Sequence, residues 1–170
     1  VTIDGNGHSL DGGGTSRYGV QAGEYLGSPN VEDMVVKNLA ATNFAWAGVN
    51  YEEVRSGAIQ NVTATNCRQG IEWLNTIDVT VERCTLSNNE TAVYGTEGSR
   101  RNTFVRNDIC DNVRGLVFND SSDALVFRNN RVSSNTNGGV RLDELSDDPV
   151  VVNNRFSRNG YGLSLDDLIG

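Results

Sequence analysis

The stretch Ile59–Trp73, IQNVTATNCRQGIEW, decides the fold because variants of it recur along the chain. Later versions are Phe104–Phe118 (FVRNDICDNVRGLVF), Phe127–Leu142 (FRNNRVSSNTNGGVRL) and Val152–Leu165 (VNNRFSRNGYGLSL). Each version has an apolar residue, an Asn-rich corner, a second apolar strand, another Asn, a Gly and a short apolar ending. Internal similarity of this kind indicates a stacked repeat architecture.

The repeat has a regular period. One small residue opens the last short strand of each repeat, and it recurs at steps of 29, 22, 22, 23, 24 and 23 residues. Its positions are Gly19, Gly48, Gly70, Ala92, Gly115, Gly139 and Gly162. Apolar residues alternate with polar ones at a period of two, and Asn, Gly, Thr and Val are abundant. These two features exclude a helical solenoid.

Three apolar rows follow the same period. They are Val20, Val49, Ile71, Val93, Leu116, Val140, Leu163; Val36, Ile59, Val81, Phe104, Phe127, Val151; and Ala41, Ala64, Leu86, Ile109, Val132, Phe156. Alternation fixes the face to which each row points. Three short apolar faces per repeat therefore predict a triangular coil. A single coil cannot bury its own core, so we expect neighbouring coils to stack in parallel register.

Two corner rows begin with apolar residues and end with Asn. They are Leu39, Val62, Cys84, Asn107, Asn130, Asn154 and Phe44, Cys67, Asn89, Asn112, Asn135, Asn159. We expect the Asn side chains to hydrogen-bond along the stack. Cys67 and Cys84 are then small buried replacements for Asn, whereas Cys110 faces outward. Gly95 follows Trp73 in the stack, and it either makes room for the indole or forms a turn.

Composition limits the classes of function. The chain has 170 residues, a net charge of −8, and a single Lys, Lys37, among 14 basic residues. This acidic, Lys-poor composition resembles that of proteins from high-salt organisms, and it lacks the basic stripe that nucleic-acid binding needs. No apolar run is long enough to span a bilayer. The opening VTID is already strand-like, so we expect no signal peptide within this segment. We therefore predict one domain, residues 1–170, taken from a longer protein with flanking domains.

A family resemblance is carried by Val1–Gly12 (VTIDGNGHSLDG) and by coils such as Asn153–Leu163 (NNRFSRNGYGL). These stretches resemble the right-handed parallel β-helix repeat proteins, which include pectate-lyase-like enzymes, polygalacturonases and NosD-type copper-linked proteins. The resemblance covers nearly the whole chain. It implies an all-β, right-handed parallel β-helix of about seven coils of 22–24 residues. It implies no single activity, because this scaffold hosts lyases, hydrolases, epimerases, adhesins and viral tail spikes.

The catalytic motifs of these relatives are not matched. Polygalacturonases combine several Asp with a His-containing motif and an Arg-x-Lys, but His8 lies in the opening turn and no Arg stands two residues before Lys37. The Asp-Pro-His of alginate epimerases is Asp148-Pro149-Val150 here. A copper role needs soft or imidazole ligands, and the sequence has one His and one Met. No catalytic residue is assigned.

One outward row is rich in carboxylates. The row lies five residues after the small residue that marks each repeat, and its members are Glu24, Glu53, Asn75, Glu97, Asp120, Glu144 and Asp167. Like charges about 4.8 Å apart repel unless a cation or water screens them. Hard cations prefer oxygen ligands, so the six carboxylates are candidate calcium ligands. The alternative interpretation is a solvated acidic row of turns.

A second outward row contains Asn50, Glu72, Tyr94, Val117, Arg141 and Ser164. On one flat face, Glu72, Tyr94 and Arg141 are candidates for carbohydrate contact, with the aromatic ring stacking on a sugar and the charged groups hydrogen-bonding. The alternative is ordinary surface. Trp46 lies in a one-residue insertion at a corner, where it is either a platform for a sugar or a packing contact for a flanking domain.

These observations predict a secreted or cell-surface β-helix module that binds, or is displayed on, a polysaccharide or cell-surface glycan, without catalytic residues in this segment. One alternative is a polysaccharide lyase or hydrolase whose acidic rows form the cleft with a cation. Another is a structural fibre such as an adhesin or tail spike, which would be trimeric. The missing His and Lys chemistry favours the module or the fibre over the enzyme.

Overall fold

The computed structural model describes residues 1–23, 31–96, 98–119, 124–143 and 149–166. Within these residues the ordered elements are twenty strands and no helix. No helix there is long and apolar enough to cross a membrane. The first ten strands are β1 (Thr2–Asp4), β2 (Ser9–Asp11), β3 (Tyr18–Ala22), β4 (Val31–Glu32), β5 (Val35–Thr42), β6 (Ala47–Glu52), β7 (Val54–Thr65), β8 (Gln69–Leu74), β9 (Ile77–Glu82) and β10 (Thr85–Ser87). The others are β11 (Thr91–Thr96), β12 (Thr103–Val105), β13 (Asp108–Cys110), β14 (Arg114–Phe118), β15 (Val126–Arg128), β16 (Arg131–Ser133), β17 (Gly138–Asp143), β18 (Val150–Val152), β19 (Arg155–Ser157) and β20 (Leu163–Asp166).

In the part of the chain that the structure describes, all the strand pairs are parallel, and they form two sheets. The first sheet has 13 strands, because the long strands β5 and β7 bend around a corner and join two of the three faces. The second sheet has seven strands in the order β20-β17-β14-β11-β8-β6-β3. Neighbouring strands of a sheet come from successive repeats of the chain. The connection between two parallel strands of the same sheet is right-handed in nearly all proteins. The fold is a right-handed parallel β-helix, which confirms the predicted fold class.

The number of coils differs slightly from the prediction. In the described part of the chain, five strands of the second sheet have a neighbour on both sides, namely β6, β8, β11, β14 and β17. The stack therefore holds about five complete turns between its end rungs, whereas the sequence predicts about seven coils.

The core is the inside of the coil. The predicted apolar rows fill it, except that Leu163, at the last rung, is exposed. Aromatic rings stack along the axis of the core: the Trp73 and Phe104 ring centroids are 5.0 Å apart, and those of Phe104 and Phe118 are 5.7 Å apart. Gly95 lies beside this stack. A Cβ at Gly95 would be 2.6 Å from the Trp73 Nε1 and would overlap the Phe118 ring. The missing side chain makes room for the indole, which confirms that interpretation.

The corners are held by the two predicted Asn ladders. The Nδ2 of Asn112 donates to the Oδ1 of Asn135 at 2.9 Å, and the Nδ2 of Asn130 donates to the Oδ1 of Asn154 at 3.0 Å. Cys67 and Cys84 are buried at the start of the ladders, where their backbone N–H groups donate to the next Asn side chain, and Cys110 is partly exposed. The residue before each ladder position adopts a positive φ that Asn tolerates well, as at Asn61 (51°) and Asn66 (55°).

Candidate functional site

A groove of about 660 Å³ lies on the outer face of the second sheet. It crosses β8, β11, β14 and β17, and the corner residue Trp46 closes one end. All four side chains predicted to contact carbohydrate line this groove, and they are Trp46, Glu72, Tyr94 and Arg141. The structure therefore brings together residues that are up to 95 positions apart in the sequence.

The outward row predicted from the sequence forms the floor of the groove. Glu72 pairs in register with Tyr94, Tyr94 with Val117, and Val117 with Arg141. Strands are about 4.8 Å apart, so the three steps from Glu72 to Arg141 span about 14 Å. The surface is concave and not the flat face that we expected, because side chains from the preceding corners rise along its edge.

Trp46 and Glu72 form the closed end of the groove. The insertion at Trp46 places the indole over β8, where its Nε1 donates to the Oε2 of Glu72 at 2.7 Å. The guanidinium of Arg68 lies 4.2 Å from the centroid of the indole ring, within the range of a cation–π contact. Trp46 is half-buried, and both contacts fix its orientation.

Glu72 is an unusual carboxyl group for an outward position, because its side chain is only 6% exposed. Burial raises its pKa above the ordinary value, the hydrogen bond from Trp46 opposes that effect, and the nearby charge of Glu52 raises the pKa further. Strand alternation predicts an exposed side chain at this position. The indole of Trp46 covers the Glu72 carboxyl group instead, and alternation along a strand contains no information about a side chain from a neighbouring corner.

Three guanidinium groups line the groove. Arg114 donates from Nε to the Oγ1 of Thr91 at 3.0 Å and pairs with Glu90 at 2.6 Å. Arg68 approaches the same Glu90 carboxylate at 3.7 Å, and Arg141 pairs with Asp143 at 2.8 Å. These contacts hold the arginines in place and leave other N–H groups of each guanidinium group available as donors.

Sequence reasoning missed several groove residues. Gln69, Arg114 and Tyr161 belong to a row three positions before the predicted one, and the same alignment would have found them. Gln69 is informative because its Oε1 is buried and accepts no hydrogen bond from the described residues. The groove thus contains a fixed acceptor without a donor.

The predicted calcium row is largely outside the described residues. Glu24, Glu97, Asp120, Glu144 and Asp167 fall there. Glu53 is described, and it occupies a corner with a φ of 53° next to Asn75 on the following coil. Among the described residues no group of three His, Cys, Asp or Glu side chains is arranged to hold a metal ion. The calcium site stays a prediction.

Comparison with solved structures shows a similar fold. The chain resembles the A-module of the mannuronan C-5 epimerase AlgE6 from Azotobacter vinelandii, with a TM-score of 0.66 and 17% sequence identity. The similarity covers 78% of this chain and 39% of that module, so the chain spans well under half of the similar structure. No curated protein sequence matches the chain significantly.

A family model described as "Right handed beta helix region" matches residues 16–168. The match includes every coil that contributes to the groove. The parallel register of both sheets agrees with it. The chain therefore belongs to the right-handed β-helix family.

Proposed function

We propose that the chain is a carbohydrate-binding module that holds an extended polysaccharide along the groove of the second sheet. The observation that carries this proposal is the convergence of Trp46, Tyr94 and three arginines on one concave surface. Sites for small organic ligands combine apolar or aromatic surface with a few fixed polar groups. Here the rings offer flat surface, the guanidinium groups offer donors, and Gln69 Oε1 offers an acceptor.

The shape of the groove favours a polymer over a single sugar. The floor extends over four strands, about 14 Å from Glu72 to Arg141, and it is open along its length. A ligand that contacts both ends must itself be extended. The similar epimerase module, which is named for its action on mannuronan, gives independent support for a carbohydrate. A secreted or cell-surface location agrees with such a ligand and is part of the proposal.

A binding titration tests this function. Calorimetric titrations with polygalacturonate, alginate and a neutral glucan compare the wild type with Tyr94→Ala and Arg114→Gln. We expect at least one polysaccharide to bind, and each substitution to weaken binding about tenfold, since each removes a stacking or charge-assisted contact.

The matched control is Arg128→Gln, which removes an exposed arginine of the first sheet, outside the groove. We expect this variant to bind like the wild type. The proposal fails if none of the polysaccharides binds, or if the control loses as much affinity as Arg114→Gln.

A second candidate function is cleavage of the bound polysaccharide. The observation that favours it is the position of Glu72, a buried carboxyl group at the closed end of the groove, where burial raises its pKa in the direction that suits a general acid. Incubation with the same polysaccharides, followed by assays for unsaturated ends and for reducing ends, tests it. Product formed by the wild type and lost in Glu72→Gln supports an enzyme, and no product from a polysaccharide that binds rejects it.

A further inference from the structure

A second recess lies on the outer face of the first sheet, across the last two rungs. It has a volume of about 430 Å³, and three arginines and three serines line it. We name it the arginine–serine pocket, and its residues are Arg131, Ser133, Ser134, Arg155, Ser157 and Arg158. It shares no residue with the groove, which belongs to the other sheet.

The register places like charges against one another. Arg131 on β16 is directly opposite Arg155 on β19, and Ser133 is opposite Ser157. Like charges directly opposite in a sheet destabilise it. Asp108, on the rung before, engages Arg131 at 2.7 and 2.9 Å. Arg155 and Arg158 form no ion pair with any carboxylate in the described ranges. In a chain with a net charge of −8, this concentration of unpaired positive charge needs an explanation.

A buried hydroxyl group gives independent evidence for a ligand. Val132 points into the core, so Ser133 points outward into the pocket. Ser133 is nevertheless only 3% exposed, and its Oγ has no hydrogen-bond partner among the described residues. A buried polar group without a partner is costly and uncommon. A ligand oxygen in the pocket would give this hydroxyl its partner.

We propose that the arginine–serine pocket binds an oxyanion, that is, a carboxylate, sulfate or phosphate group. Guanidinium forks match the oxygens of such groups with parallel, charge-assisted hydrogen bonds. Arg155 and Arg158 are the principal contacts. Asp108 orients Arg131, and Ser133 and Ser157 donate their hydroxyl protons to the remaining oxygens. The bound negative charge also removes the repulsion between Arg131 and Arg155.

Titrations with sodium sulfate, sodium phosphate and sodium glucuronate test this site, with sodium chloride at equal ionic strength as the reference. The readout is the chemical shift of the backbone amides, followed by two-dimensional NMR. We expect saturable shifts at Ser133, Ser134 and Ser157 with at least one of the three anions. The anion that binds most tightly shows whether the preferred ligand carries a sulfate, a phosphate or a carboxylate group.

Variants complete the experiment. Arg155→Ser and Arg158→Ser remove exposed charges without touching the core, and we expect each to weaken the anion about tenfold. Arg100→Ser, which removes an exposed arginine elsewhere, and the groove variant Tyr94→Ala are expected to bind like the wild type. The site is rejected if no anion gives saturable shifts, or if Arg155→Ser and Arg158→Ser bind as tightly as Arg100→Ser.

Discussion

At the scale of single residues, Gly95 determines how the aromatic core packs. The position follows Trp73 in register, and the space of its missing side chain is occupied by the Trp73 and Phe118 rings. Interiors are packed so densely that one extra methyl group must displace a neighbour. The small residue is therefore required by the indole one coil before it and by the phenyl ring one coil after it.

We expect Gly95→Ala to lower the free energy of unfolding by about 1–3 kcal/mol, because the added Cβ overpacks the core. Chemical denaturation monitored by fluorescence measures this change. Gly162→Ala is the matched control, since the nearest heavy atom to its added Cβ is 3.5 Å away, an ordinary contact. Equal stability of Gly95→Ala and the wild type would show that the rings do not fill this space.

Glu72 makes stability depend on pH in a defined direction. Its pKa is raised in the folded chain, first by burial. Its contribution to stability is present below the pKa of the unfolded chain and is lost as the pH rises through the folded value. Glu72→Gln carries no charge at any pH, and its amide oxygen still accepts from Trp46. We expect the melting temperature of this variant, relative to the wild type, to be higher at about pH 7 than at about pH 4. A difference that is constant or reversed would contradict the account of Glu72.

At the scale of the elements, the Asn ladders tie each corner to the next coil. Asn112 shows the pattern: its Oδ1 accepts from the backbone N–H of Asn89, and its Nδ2 donates to the carbonyl oxygen of Leu86 and to Asn135. Where the chain turns, the backbone hydrogen bonds between neighbouring strands are interrupted. The Asn112 side chain provides partners for the backbone groups there. One amide therefore links its own coil to the coil before it and to the coil after it.

We expect Asn112→Ala to destabilise the chain by about 2–4 kcal/mol, because more than one buried polar group loses its partner. Asn159→Ala is the control. It ends the same ladder and is half-exposed, so water can replace its hydrogen bonds and the loss should be smaller. Urea denaturation of both variants measures the two losses. A larger loss in Asn159→Ala would contradict the ladder as the main support of the corner.

The strands and ladders were predictable because the repeat aligns equivalent residues. Period-two alternation and steps of 22–24 residues fix which side chains share a row, and the register confirms the row from Glu72 to Arg141. The depth of the groove was not predictable. It depends on the side-chain conformation of Trp46 over β8 and on the stacking of Arg68, and both follow from an insertion at one corner.

At the scale of the whole molecule, the β-helix is a one-dimensional stack. Each coil contacts only its neighbours, so its stability comes from its own packing and from two interfaces. The end rungs of the described chain have one interface each and expose apolar side chains, such as Ile3 and Leu10 at one end and Leu163 and Leu165 at the other. The groove and the arginine–serine pocket lie on different sheets of this stack.

We expect backbone amide exchange to follow position in the stack. It should be slowest in β8, β11 and β14, which have neighbours on both sides, and fastest in β1, β2 and β20 at the ends. Hydrogen–deuterium exchange with mass spectrometry measures the gradient. Equal protection of the central and end rungs would show that the chain opens only as a single unit.

The central claim is that the groove binds polysaccharide, and the two tryptophans provide its most direct test. The indole N–H of Trp46 lies in the groove on Glu72, whereas that of Trp73 is buried in the core. The chain has two Trp residues, so each gives one indole cross-peak in a ¹⁵N-resolved NMR spectrum. On titration with oligosaccharides from a polysaccharide that binds, we predict that the Trp46 peak moves saturably while the Trp73 peak stays in place. An unmoved Trp46 peak at saturating ligand would contradict the claim.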